Sequence, residues 1–103
     1  MSSSQLSIAC NLNDAEFQRR RAELLRSFQR TLLEGRELPD GYAYRFASDA
    51  DQLSELAQLI AFERECCPFL TFNLRLEPAN GPIWLELTGP EGTKEFLRSL
   101  FDQ

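Results

Sequence analysis

A proline at position 68 separates two incompatible periodicities in the second half of the chain. Before it, Leu53, Leu56, Ala57 and Ile60 recur at helical spacing, and a residue that precedes proline is disfavoured in the α conformation, so the helix is expected to end at Cys67. After it, Leu70, Phe72, Leu74 and Leu76 alternate with Thr71, Asn73, Arg75 and Glu77, the period of a strand with one apolar face. The junction, Glu63-Arg64-Glu65-Cys66-Cys67-Pro68-Phe69, carries two of the three cysteines of the chain. Any chemistry this sequence supports is expected there.

The remaining segments follow the same two rules. Leu6, Ile8, Cys10 and Leu12 alternate with Gln5, Ser7, Ala9 and Asn11, which predicts a first strand with Cys10 on its buried side, after a short disordered lead over residues 1–5. Asn13 and Glu16 form a capping box for a helix with Phe17, Leu24, Leu25, Phe28 and Leu32 on one face, expected to run to about Glu34 and stop at Gly35. Arg21 falls in the stripe of Phe17 and Leu25 and reads as a side chain that snorkels to the edge. Leu38-Pro39-Asp40-Gly41 is a turn into a strand with Tyr42, Tyr44 and Phe46 on one face, and Ser48 with Asp51 caps the second helix.

Asn80-Gly81, between Pro78 and Pro82, predicts a hairpin whose returning strand buries Ile83, Leu85 and Leu87. Trp84 lies on the other face and is expected to pack under a helix or loop. Pro90 opens a third helix with Phe96, Leu97, Leu100 and Phe101 on one side, and Gly89-Pro90-Glu91-Gly92 reads as an ordinary strand-to-helix turn. The expected architecture is α+β, a two-layer sandwich in one domain over residues 1–103, with a four-stranded mixed sheet and three helices in the order β-α-β-α-β-β-α.

Composition narrows the function. No apolar run approaches the roughly 18 residues of a membrane span, and the N-terminus has neither the basic nor the apolar region of a secretion signal, so the expected address is cytoplasmic. There thiols stay reduced, and three cysteines read as core, redox or metal chemistry rather than as a disulfide framework. The chain has no histidine, which removes Ser/His and Cys/His nucleophile pairs and the usual general base, so the expectation is a binding protein and not an enzyme. A net charge of −5 argues against a nucleic-acid partner, and the cluster Arg19-Arg20-Arg21 fans around a helix as a solvated face. A protein partner or a homodimer through the last helix or the hairpin is compatible with the pattern.

On a helical projection of about 100° per residue, Cys67 falls with Leu56 and Ile60 at the centre of the apolar stripe, flanked by Glu63 and Arg64. Cys66 lies at its edge. Because Pro68 ends the helix, both thiols can turn toward one point, where Cys10 would supply a third sulfur, Glu63 an oxygen and Arg64 a compensating charge. Thiolates select soft ions such as Zn(II), Cu(I), Hg(II) or trivalent arsenic over Mg²⁺ or Ca²⁺. The same cysteines also suit plain core packing within a protein interaction module, or a thiol redox or sulfur-carrier protein.

The stretch Glu63-Arg64-x-Cys66-Cys67-Pro68-Phe69-Leu70-x-Phe72, with Ala9-Cys10-x-Leu12 and Leu85-x-Leu87-Thr88-Gly89-Pro90-x-Gly92, resembles a family of small bacterial proteins. Similar sequences occur alone and as domains joined to, or neighbouring, metal-responsive regulators of the mercury-resistance type. The resemblance covers nearly the whole chain and implies that Cys10, Glu63, Arg64, Cys66 and Cys67 form one constellation. It connects them with heavy-metal resistance or sensing by context and not by an activity. The expected function is soft metal or metalloid ion binding by this cysteine cluster.

Overall fold

The computed structural model describes residues 15–101, and within them the chain runs α1 (Ala15–Thr31), β1 (Glu34–Leu38), β2 (Gly41–Phe46), α2 (Ala50–Cys66), β3 (Thr71–Leu76), β4 (Ile83–Thr88) and α3 (Thr93–Phe101). The fold is α+β, as expected. The strand expected around Leu6, Ile8, Cys10 and Leu12 lies outside the described residues.

The sheet has the order β1-β2-β4-β3, and every neighbouring pair is antiparallel. This corrects the mixed sheet expected from the sequence. The α2 crossover does join two strands that run the same way, β2 and β3, but β4 is inserted between them and pairs antiparallel with both. Tyr44, Phe46, Ile83, Leu85 and Leu87 on one face of the sheet meet Leu24 and Phe28 of α1, Leu56 and Leu59 of α2, and Leu97 and Phe101 of α3 in a single core. Phe28 is its hub, stacked on Phe101 at a centroid distance of 4.1 Å and edge-on to Phe46 and Tyr44 at 4.9 and 5.0 Å. All three helices therefore lie over the same face.

β1 departs from the expected course of the chain, because α1 stops at Thr31 instead of near Glu34. Leu33 N–H donates to Arg45 C=O at 2.9 Å and starts the ladder with β2, with Glu34 opposite Arg45 and Leu38 opposite Gly41. An edge strand needs only one paired side, and Glu34-Gly35-Arg36-Glu37-Leu38 shows no apolar alternation from which it could be recognised.

Among the described residues no helix covers the opposite face of the sheet. Trp84 sits there, yet it is buried, because the Arg36 and Arg75 guanidinium groups lie 4.8 and 6.0 Å from its ring centroid. Among the described residues, two arginines cover the ring. At the far hairpin Ala79 and Asn80 both adopt positive φ, 58° and 56°, so the tight turn is centred one residue earlier than the Asn80-Gly81 pair suggested.

Gly41 marks the closest approach of two strands. A Cβ built there would lie 1.8 Å from the Leu87 carbonyl oxygen, so β2 and β4 can pair in this register only with a glycine at that position. Gly41→Ala is accordingly expected to cost on the order of 3 kcal/mol or more, as overpacking against rigid backbone does, and the loss is measured by urea unfolding against the parent.

Candidate functional site

The site grows from the face that α2 turns inward. Asp49 caps the helix by accepting from Gln52 N–H at 3.3 Å, one residue later than the expected Ser48, and the buried positions are Gln52, Leu56, Leu59, Glu63 and Cys66. On a step of about 100° per residue that face is rotated by roughly 75° from the stripe of Leu53, Leu56 and Ile60. The rotation moves Glu63 and Cys66 from the margin to the interior.

A carboxylate at such a position is costly unless it is paired and hydrogen-bonded. Glu63 is 2 % exposed, and Arg21 from α1 meets it with two parallel bonds, Nε to Oε2 and NH2 to Oε1, the second at 3.1 Å. Arg21 thus reaches inward where the sequence suggested an edge position. The signal for it was an arginine within the apolar stripe of Phe17 and Leu25, which is also what a snorkelling side chain looks like. Burial works against the Arg21 charge, but the hydrogen bond and charge of Glu63, with a smaller contribution from Cys67, more than offset it and hold the guanidinium above its ordinary pKa.

Cys67 ends the helix as Pro68 requires. Its φ of −126° and ψ of 77° leave the α region, its N–H still donates to Glu63 C=O at 2.6 Å, and its C=O accepts from Leu70 N–H at 3.2 Å. That geometry returns the Cys67 thiol to the carboxylate one turn earlier, and Sγ donates to Glu63 Oε1 at 3.4 Å. Burial, followed by the charge and the hydrogen bond of Glu63, pushes the thiol up to about 12, with Arg21 opposing in part. The group is therefore a neutral hydrogen-bond donor and a poor nucleophile as it stands.

Cys66 is also fully buried, and it is disulfide-bonded, whereas Cys67 is a free thiol. The bond corrects the expectation that all three thiols are reduced. Phe69 closes over both cysteines, edge-on to Phe96 with centroids 5.2 Å apart, while Phe17 of α1 packs on Phe62 of α2 at 4.6 Å.

Of the residues singled out in the sequence, Cys67 meets Glu63, while Cys66 packs in the small apolar cluster with Cys67 and Phe69. Arg64 does not join them: it is exposed and lines a groove of about 420 Å³ with Ile60, Leu70, Phe72 and Leu74, so the charge that balances the site is that of Arg21. Cys10 lies outside the described residues. Among the described residues no group of three or more histidine, cysteine, aspartate or glutamate side chains is placed to hold a metal ion. No helix among them is long and apolar enough to cross a membrane. The chain matches no protein-family model, and no curated protein or solved structure matches it.

Two consequences can be measured. Arg21→Met strands the Glu63 carboxylate in the interior and is expected to cost about 3–5 kcal/mol in urea unfolding, most of which the second change Glu63→Leu restores. The Cys67 thiol has a pKa raised from 9.0 to about 12, so between these values the native state holds a proton that the unfolded chain has lost. Its contribution to stability is complete below about pH 9 and falls by up to about 1.4 kcal/mol per pH unit as the pH rises toward 12, a loss that Cys67→Ala should lack.

Proposed function

We propose that this protein binds a soft metal or metalloid ion through Cys66 and Cys67 in their reduced state, with Cys10 as third sulfur and Glu63 as an oxygen neighbour. The observation that carries the reading is that two consecutive cysteines, both fully buried, end the same helix, with the Glu63 carboxylate 3.4 Å from Cys67 Sγ. Sulfur donors in an apolar, water-poor setting favour Zn(II), Cu(I), Hg(II) or trivalent arsenic over hard cations. Arg21 supplies the positive charge that two or three thiolates and a carboxylate require, a task the sequence had assigned to Arg64. Ion binding would displace the proton from Cys67 Sγ, so uptake is accompanied by proton release. The resemblance noted in the sequence supports a part in cytoplasmic heavy-metal resistance or sensing.

The test is titration of the reduced protein with Hg(II), Cu(I) and Zn(II), followed by thiolate-to-metal absorption and native mass spectrometry. One ion per chain is expected, with affinity reduced roughly a hundredfold or more by Cys66→Ser together with Cys67→Ser. Stoichiometric binding that this double substitution leaves unchanged would overturn the proposal. The Cys66 disulfide also favours a second reading, a thiol redox protein, which would cycle between oxidised and reduced forms and retain no ion in the same titration.

A further inference from the structure

We infer that the outer edge of β3 is a self-association surface, on which a second copy of this chain adds its own β3 antiparallel and joins two sheets into one. The inference stands apart from the ion-binding reading, since it uses none of the sulfur residues.

The two edges of the sheet differ in kind. β1 closes one side with Glu34-Gly35-Arg36-Glu37-Leu38, a short, charged strand of the sort that discourages further pairing. β3 closes the other with Thr71-Phe72-Asn73-Leu74-Arg75-Leu76, in which every second residue is apolar and Leu76 is 54 % exposed. Among the described residues β3 pairs only with β4. Just past its end Glu77 N–H donates to Pro82 C=O at 3.2 Å, so by alternation the backbone groups of Thr71, Asn73 and Arg75 turn toward β4. The N–H and C=O groups of Phe72, Leu74 and Leu76 therefore point out of the edge, where another strand can meet them.

Beside that edge runs a cleft between β3 and α2. One end is the groove of about 420 Å³ lined by Ile60, Arg64, Leu70, Phe72 and Leu74. The other is a hollow of about 530 Å³ in which Leu53, Leu76 and Ile83 meet Ser48 and Asp49 at the start of α2. Late α2 residues thus lie with early β3 residues, and the reverse, which gives the cleft a cationic end at Arg64 and an anionic end at Asp49. Both side chains are exposed, and Arg64 has no ion-pair partner among the described residues.

A second copy matches this polarity. A two-fold axis at Leu74 sets Leu74 against its own counterpart and Phe72 against Leu76 of the second copy, and each of these pairs exchanges both backbone hydrogen bonds. It also sets Arg75 against Asn73 of the second copy, so no like charges face each other along β3. The two clefts then run head to tail, which carries Arg64 of each copy toward Asp49 of the other. Opposite charge at the two ends, with apolar side chains between, is what an isologous contact requires.

The test is sedimentation equilibrium of the full chain under reducing conditions, combined with amide hydrogen exchange read by NMR in dilute and concentrated samples. A reversible dimer is expected, with the Phe72, Leu74 and Leu76 amides protected only when concentrated and those of Asn73 and Arg75 protected throughout. Leu76→Lys, checked for folding by circular dichroism, should raise the dimer dissociation constant about tenfold or more. Arg64→Glu should raise it by a smaller factor that shrinks as salt is added.

A monomer in the concentrated samples, or a dimer that Leu76→Lys leaves unchanged, would overturn the proposal. Protection of the three edge amides at every concentration would overturn it as well, because the edge would then be covered from within one chain.

Discussion

The ion pair of Arg21 with Glu63 is the constraint on which the rest of the sulfur site depends. A carboxylate on the inward face of α2 can exist only if a cation comes in to meet it, and Arg21 does so from α1 with two parallel bonds at a side-chain exposure of 11 %. The pair therefore sets how the two helices sit against each other. Its polar character continues along the seam, where Arg20 donates to Gln58 at 2.6 Å and Ser27 donates to Glu55. Because Glu63 is fixed, the turn that follows it is fixed as well, and Cys67 is held with both its backbone N–H and its thiol directed at the same residue.

This arrangement opposes the chemistry it makes room for. A carboxylate beside a buried thiol favours the protonated sulfur, and a helix C-terminus adds partial negative charge in the same sense. Arg21 offsets only part of that. Such a thiol resists alkylation and oxidation, yet an ion that binds sulfur strongly enough can still take the place of its proton. If the site binds an ion as proposed, selectivity for strong sulfur-seekers would come from the difficulty of ionising the ligand.

Much of the fold was legible because it rests on apolar periodicity. The alternation in Tyr42, Tyr44 and Phe46 and in Ile83, Leu85 and Leu87, and the helical spacing of Phe96, Leu97, Leu100 and Phe101, match the strands and the helix that form. β1 was not legible, since an edge strand of charged residues has no period to detect. Pro68 located the end of α2 because its steric effect is local, whereas the buried face of that helix depends on what packs against it. There the missing information was the partner: without knowing that Arg21 would neutralise Glu63, a helical projection centres on Leu53 and Ile60 and leaves the glutamate outside. The same gap assigned the balancing charge to Arg64, adjacent in sequence, and not to Arg21, forty-two positions earlier.

Trp84 lies on the sheet face that no helix among the described residues covers, held between Arg36 and Arg75, while Cys66 and Cys67 lie at the end of α2 on the other side. It is the chain's only tryptophan. Its fluorescence consequently has a built-in optical separation from the sulfur cluster, with the sheet as the screen. A heavy ion bound at the cysteines has no direct contact through which to quench that emission, so a spectral change on loading would report a rearrangement transmitted through the strands.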